Sequence, residues 1–448
     1  MAGYKNMTEG SPVRCLIRFT LPLLAGNLLQ QTYNVADTMI VGKALGDDSL
    51  AAVGATGSIT YLFYTLCIGL SIGSGVLIAQ FFGSGRIERV RSAILNSTII
   101  TMAIALVMTL LSVALSYPVL SALGVPAKLI SRSVTYMRIA CSGTVCVAAY
   151  NWINAVMRAL GDSKTPLIFL AVSTLLNVGL DLLFVMVFKM GVGGAALATI
   201  LSQGLSAAGC ILYFFINCKE LSPVKGETRL EHDLMKKCLT MGLPIAAQNG
   251  LVSVSMVVLQ SITNGFSETV MASYTVSMRI EQFVQQPFIS MNAAVSTFTG
   301  QNIGAGKEDR AVDGLNSGLR ISGVFAVMML VVFGIFGRAI TGCFVSGDEV
   351  ISIASTSLII TGCFYVPLGV IHIVRGFLNG AGDTGYALVN GLTEVVCRIL
   401  FANILTRIYF IGMWGIWITT AITWVATAAV SYIRYRSGKW KLKAVKDY

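Results

Sequence analysis

Four polar side chains recur at helical spacing in the first apolar segment of the chain. Gln30, Tyr33, Asn34 and Asp37 stand at positions i, i+3, i+4 and i+7, so they share one face of a helix. A carboxylate in an apolar segment is costly, and it usually faces a wet cavity or a polar partner. Hydrogen bonding between packed helices would explain the amides, but it explains Asp37 poorly. The four polar side chains therefore indicate that this face of the helix lines a cavity.

A second polar group follows in later apolar segments. Asn177 and Asp181 stand one turn apart, and Thr199 lies in the next segment. Counted from the predicted outer helix ends at 1.5 Å per residue, Asp37, Asp181 and Thr199 all lie roughly 7–12 Å deep. Two carboxylates, an amide and a hydroxyl can therefore meet at one level. Such oxygen ligands suit Na⁺, and two close carboxylates in a low dielectric can instead hold a proton.

The elements that position these groups must be membrane-spanning helices. Apolar residues make up 55% of the 448 and charged residues only 12%, against about 25% charge in soluble domains. Runs such as Ile99–Val119 and Leu167–Phe188 approach the ~20 residues that a helix needs to cross a bilayer. Lipid cannot satisfy open backbone groups. The sequence therefore predicts an all-α integral membrane protein with almost no soluble mass.

Apolar runs predict twelve spans, whose positions follow the hydrophobic pattern. They cover residues 15–41, 52–82, 92–117, 133–157, 166–188, 192–216, 238–263, 271–300, 314–340, 351–379, 386–409 and 412–434.

Basic residues sort by side of the membrane. Of the 32 lysines and arginines, 21 fall on the side that holds both termini and seven on the other. The positive-inside rule then places both termini in the cytoplasm, and we expect a multi-pass protein of the bacterial inner membrane without a cleaved signal peptide. The net charge of +11 is explained by this topology, so no nucleic-acid partner is expected.

The chain repeats itself at an offset of 221 residues. Six predicted spans separate each pair of motifs, which predicts two parallel six-helix lobes related by a pseudo-two-fold axis, with substrate handled between them. The predicted boundaries are an N-terminal lobe at 1–218, a cytoplasmic linker at 219–237 and a C-terminal lobe at 238–448 with a basic tail. The repeat does not carry Asn177 or Asp181 into the second half, so the scaffold alone does not require them. The paired motifs are Gln80-x-x-Gly83-x-Gly85-Arg86 with Gln301-x-x-Gly304-x-Gly306-Lys307, Gly161-Asp162-Ser163 with Gly382-Asp383-Thr384, and Gly191-x-x-Gly194 with Gly412-x-x-Gly415.

The second half has its own ionisable residues inside spans. Glu394 and Arg398 stand at i, i+4 as a natural ion pair, which serves either structure or a substrate. His372 is a candidate proton site, although a single histidine among small neighbours is more often simply hydrogen-bonded. Glu281 is the best candidate for an acid of the second lobe.

These residues resemble the multidrug and toxic compound extrusion (MATE) family over nearly the full chain. The resemblance implies two six-helix lobes around a central cavity, alternating access, and export of organic cations driven by Na⁺ or H⁺. It rests on Leu21-Pro22, Tyr33-x-x-x-Asp37-x-x-x-Val41-Gly42, Gln80-x-x-Gly83, Arg158-x-x-Gly161-Asp162 and Asn177-x-x-x-Asp181.

The family resemblance also implies roles for residues of the first lobe. The first-lobe cation site would consist of Asp37, Asn177, Asp181 and Thr199, and substrate contacts would fall on Gln30, Tyr33, Asn34 and Asn154. One branch of the family places acids in the seventh and tenth spans. Here the seventh span has none and the tenth has His372 instead, so the chain is closer to the branch that relies on the first lobe.

Other functions find less support in the sequence. A lipid-linked oligosaccharide flippase of related architecture would need cationic cavity residues for a pyrophosphate, and Arg375 and Arg398 are the features that favour it. An enzyme would need a nucleophile with a base or a metal cluster, and no such pattern surrounds His232 or His372. We therefore expect a monomeric transporter with no cofactor beyond its coupling ion, partnered by small organic cations and the lipid bilayer.

Overall fold

The computed structural model describes residues 6–224 and 228–443. Lys5, residues 225–227 of the predicted linker and residues 444–448 of the predicted tail lie outside this part of the chain. The described residues form helices and no strand. The α-helices are α1 Pro12–Leu45, α2 Asp47–Gly83, α3 Ile87–Ala122, α4 Ala127–Ser142, α5 Thr144–Ala159, α6 Lys164–Asp181, α7 Gly191–Asn217, α8 His232–Thr263, α9 Glu268–Val284, α10 Gln286–Gly304, α11 Glu308–Gly342, α12 Asp348–Gly362, α13 Tyr365–Gly380, α14 Gly385–Leu405 and α15 Gly415–Arg436.

These helices fall into twelve segments at the positions of the twelve predicted spans. Among the described residues, nine helices are long and apolar enough to cross a membrane, or up to 11 when two bent pairs each count as one span. The bent pairs are α4 with α5, at 45°, and α12 with α13, at 52°. The remaining segment joins α9 to α10 and carries the charged residues Arg279 and Glu281 near the end of α9.

The outer faces of several helices are apolar and exposed. Leu110 on α3 is 64% exposed, Leu175 on α6 is 76% exposed and Val324 on α11 is 72% exposed. An exposed apolar surface that runs along full-length helices is what contact with lipid tails requires, because water would penalise it. The all-α membrane fold is therefore confirmed.

The chain divides into two compact units. Leu21–Ala246 belongs to the first unit, and the second contains Met7–Thr20 together with the chain from Ala247 onward. Helices α1 and α8 therefore each contribute residues to both units. The functional boundaries inferred from the sequence repeat stay a prediction.

Close helix contact in the first unit depends on glycine. A Cβ atom added to Gly69 of α2 would lie 2.5 Å from the backbone nitrogen of Ala246, and one added to Gly73 would lie 2.5 Å from that of Gly242. Such separations are far below van der Waals contact, so only small residues permit this crossing of α2 and α8.

The repeated motifs mark equivalent tight turns in the two halves. In each of the three pairs of motifs, both equivalent glycines have positive φ angles. The angles are 72° at Gly85 and 70° at Gly306, 82° at Gly161 and 86° at Gly382, and 64° at Gly191 and 51° at Gly412. Residues with a Cβ avoid this backbone region. The repetition in the sequence therefore reflects turns that only glycine forms without strain.

The motif side chains complete these turns. Asp162 Oδ1 accepts hydrogen bonds from the backbone nitrogens of Lys164 (2.9 Å) and Thr165 (3.1 Å) at the start of α6. In the second half, Asp383 instead accepts two hydrogen bonds from the guanidinium of Arg434, at 2.7 and 3.0 Å. The turns are equivalent, but their polar partners differ.

Candidate functional site

Thr199 joins three helices of the first unit through its hydroxyl group. Its Oγ1 donates to the Ala195 carbonyl at 3.1 Å and accepts from Asn177 Nδ2 at 3.4 Å. The Tyr33 hydroxyl lies 3.2 Å from the same oxygen. Because the single Thr199 proton is already donated to Ala195, Tyr33 is the donor in this contact. Helices α1, α6 and α7 thus meet at one hydroxyl.

The hydroxyl of Thr199 has no lone pair left for an ion in this arrangement. A hydroxyl offers one proton and two lone pairs, and all three are engaged by Ala195, Asn177 and Tyr33. Holding Asn177 by its nitrogen leaves the amide oxygen free to point elsewhere. Thr199 therefore positions Asn177 and Tyr33.

Several acceptor oxygens without hydrogen-bond partners belong to the residues around the Thr199 hydroxyl. Within the described residues, Asp37 Oδ1, Asn177 Oδ1 and both carboxylate oxygens of Asp181 are buried without a hydrogen-bond partner. The carboxyl groups of Asp37 and Asp181 lie within hydrogen-bonding reach of each other. Buried polar atoms are normally paired, and two adjacent carboxylates repel unless a cation or proton lies between them. The four oxygens fit a monovalent cation or a proton.

The backbone around Asp181 is also unusual. Asp181 ends α6, and the next six residues, Leu182–Val187, form a π-helical stretch. Short π-helical insertions are rare and occur frequently at functional sites. Asp181 therefore stands where the helix changes its pitch.

Tyr136 on α4 is a neighbour of this site that the sequence analysis did not identify. Its phenol interacts electrostatically with both Asp37 and Asp181. Helical spacing could not have found it, because Tyr136 lies on a different helix from both carboxylates.

A small cavity lies in the first unit among α1, α5, α6 and α7. Gln30 and Tyr33, two of the predicted substrate contacts, line it together with Asn177, and their role in substrate binding stays a prediction. Ser173 and Ser202 stand one helical turn or less from Asn177 and Thr199, so helical spacing could have found them. The further lining residues are Tyr150, Leu170, Ser173, Thr174, Ser202 and Gln203.

The other two predicted substrate contacts do not line this cavity. Asn34 lies on an exposed part of α1. Asn154 is 6% exposed on α5, one turn beyond the cavity residue Tyr150, and its Oδ1 has no partner among the described residues.

The ionisable residues of the second unit form a network of charges. Arg375 Nη2 contacts Glu394 Oε1 at 2.8 Å, and Arg398 Nη2 lies 3.9 Å from Glu394 Oε2. Arg398 Nη1 also donates to Ser255 at 2.9 Å. The Gln248 amide, with its oxygen turned towards Arg375, accepts from Nε at 2.7 Å. The i, i+4 pair predicted from the sequence exists, and Arg375 extends it.

His372 and Glu281 have different surroundings. The His372 imidazole stacks on Phe288, with ring centroids 6.2 Å apart, and its backbone carbonyl accepts from Asn292 at 2.6 Å. Glu281 is 4% exposed, and its Oε1 has no partner within the described chain.

Comparison with known proteins gives consistent matches over the whole chain. The MatE family matches residues 22–183 and 244–404. The probable multidrug resistance protein YpnP of Bacillus subtilis is 28% identical, covering 97% of each chain. The probable multidrug resistance protein NorM of Thermotoga maritima is 25% identical, covering 96% of this chain and 93% of its own. A crystal structure of MATE in the bent conformation has a TM-score of 0.89 at 22% identity, covering 97% of this chain and 98% of that one.

Proposed function

Because this chain belongs to the MatE family, we propose that it is a cation-coupled antiporter that exports organic, mainly cationic, amphipathic drugs. Its relatives in Bacillus subtilis and Thermotoga maritima are named probable multidrug resistance proteins. The first-unit cavity is lined by amides, hydroxyls and aromatic rings, and its lining residues Tyr33 and Asn177 stand one helical turn from Asp37 and Asp181. Such a lining attracts a cation without requiring one particular shape.

One observation carries the proposal, namely that the ion site and the cavity share side chains. Asn177 and Tyr33 line the cavity, and both are held by Thr199 beside the carboxylates. An ion that draws the Asn177 oxygen towards Asp181 must also move a wall of the cavity. Under this proposal, ion binding and drug binding are linked through the side chains of Asn177 and Tyr33.

The proposed cycle uses this link. A Na⁺ ion or a proton from outside binds between Asp37 and Asp181 and neutralises their repulsion. Neutral carboxyl groups no longer attract a cationic drug, so its affinity falls and it leaves outward. Coupling requires only that the ion bind the two conformations unequally. Under this proposal the protein acts as a monomer in the cell membrane, has both termini in the cytoplasm and needs no cofactor besides the coupling ion.

The test is ethidium efflux from proteoliposomes under a Na⁺ or an H⁺ gradient imposed separately. Asp37→Asn and Asp181→Asn should each abolish gradient-driven efflux, because a neutral amide has no charge for the cation to cancel. Asp313→Asn on the exposed face of α11 is the matched control and should transport normally. If efflux persists in both site variants, the coupling site lies in the second unit and not at Asp37 and Asp181.

A flippase for lipid-linked oligosaccharides is the alternative. Arg375 and Arg398 would then bind the pyrophosphate, but Glu394 contacts both of them and Gln248 engages Arg375. A phosphate would have to displace these partners. Absence of efflux from a folded wild-type protein under either gradient would favour this alternative.

A further inference from the structure

Glu281 lies in the interior of the second unit, in the last turn of α9. Only 4% of its surface is exposed, and Oε1 has no hydrogen-bond partner among the described residues. One turn earlier on the same helix, Ser277 accepts a hydrogen bond from Trp417 Nε1 at 3.1 Å, which fixes α9 against α15. The carboxyl group is thus on a fixed helix, with one of its two oxygens left without a partner among the described residues.

The surroundings of Glu281 supply hydroxyl groups and one positive charge. The side chain of Thr361 on α12 lies within hydrogen-bonding reach, and Arg398 on α14 interacts with Glu281 electrostatically. The Tyr365 hydroxyl on α13 is a further electrostatic neighbour, and this tyrosine is fully buried.

Charge balance links Glu281 to the network described above. Arg375 and Arg398 carry two positive charges, and Glu394 contributes one negative charge between them. An ionised Glu281 makes this buried group neutral. A protonated Glu281 leaves one excess positive charge, and Arg398 Nε already lacks a partner within the described residues.

We propose that Glu281 is a proton-binding site of the second unit that works beside the Asp37–Asp181 pair. A buried carboxyl group with an open oxygen has two accessible states, because the charged form is compensated by arginine and the neutral form avoids the cost of burying a charge. The two protonation states of Glu281 therefore give different net charges to the group formed by Glu281, Arg375, Glu394 and Arg398. A transport cycle that uses both sites takes up protons in both units.

A metal cation does not fit this position. Na⁺ would bring its charge next to Arg398, and among the described residues the groups that interact with Glu281 include no second carboxylate. Those groups are Tyr274 on its own helix, Thr361 on α12, Tyr365 on α13 and Arg398 on α14. The neighbouring helix α10 carries no ionisable residue, and α11 carries none between Arg320 and Arg338. A proton fits better, because it bonds to a single carboxylate oxygen and does not need several ligands as Na⁺ does.

The experiment is pH-difference infrared spectroscopy of the purified full-length protein in lipid, in an Asp37→Asn/Asp181→Asn background. A protonated carboxylic C=O signal should remain in that background and titrate apart from the exposed carboxyl groups. Adding Glu281→Gln should remove this signal. Adding Glu268→Gln, the same change at an exposed position of α9, should leave it intact.

Persistence of the signal after Glu281→Gln would overturn the proposal, and so would its absence from the background protein. Glu281→Asp covers the case in which the glutamine variant does not fold. It keeps a carboxyl group in a shifted environment, so the signal should move in frequency, and an unmoved signal would count against Glu281. The measurement does not depend on transport, so its failure is distinct from a failure of the antiport proposal.

Discussion

Replacing Thr199 by valine tests whether this residue positions the ion site or binds the ion. Valine keeps the shape but removes the oxygen that accepts from Asn177 and Tyr33. Leaving a buried donor unsatisfied costs about 1–3 kcal/mol, and the 3.4 Å contact to Asn177 belongs at the lower end. About 1.4 kcal/mol lost from the ion-bound state corresponds to a tenfold weaker apparent affinity for the coupling ion.

The assay is ethidium efflux from proteoliposomes at a series of external ion concentrations. Thr199→Val should raise the half-saturating concentration about tenfold, by the estimate above. Thr199→Ser keeps the hydroxyl and should stay close to wild type. The decisive variant combines Thr199→Val with Asn177→Ala.

If Thr199 acts through Asn177, the double variant loses no more ion affinity than Asn177→Ala alone. Effects of residues that share one interaction are not additive. Additive losses would refute the positioning role and restore Thr199 as a direct ligand of the ion.

Three further predictions concern stability and topology. Glu394→Gln leaves two arginines of the second unit without their shared carboxylate, which should lower the free energy of unfolding by about 3–5 kcal/mol, visible as a lower melting temperature in detergent. Gly376→Ala would place a Cβ 2.5 Å from a backbone oxygen of α10 and should cost about 1–3 kcal/mol, whereas Gly385→Ala, with open space around it, should not destabilise the protein. In single-cysteine variants, the exposed Cys343 should react with a membrane-impermeant maleimide in intact cells, while Cys15 should require permeabilised cells, and the reverse result would invert the proposed topology.

The sequence predicted the positions of all twelve helical segments because each span needs a long apolar run. It did not predict the bends between α4 and α5 or between α12 and α13, since apolar residues continue across both breaks. The i, i+4 pair of Glu394 and Arg398 followed from helix geometry. The contact of Glu394 with Arg375 could not be predicted, because it joins two different helices and depends on how they pack.

The same limit applies to the candidate ion site. Helical spacing identified Asp37, Asn177, Asp181 and Thr199 as a group. The sequence could not distinguish a ligand from a positioning residue, because that difference depends on which lone pairs are already used. Tyr136 was missed since its contact with the carboxylates comes from packing between helices that are distant in sequence.

The matched glycine turns have a consequence for how such a protein can change. Backbone geometry ties both halves to the same turns, such as Gly161 and Gly382 with φ angles of 82° and 86°, while the carboxylates and arginines in the two interiors differ. One half holds an acid pair and the other a charge-balanced network. We therefore expect the two interiors to diverge independently, because a substitution among the buried charges of one half leaves the backbone turns that both halves share unchanged.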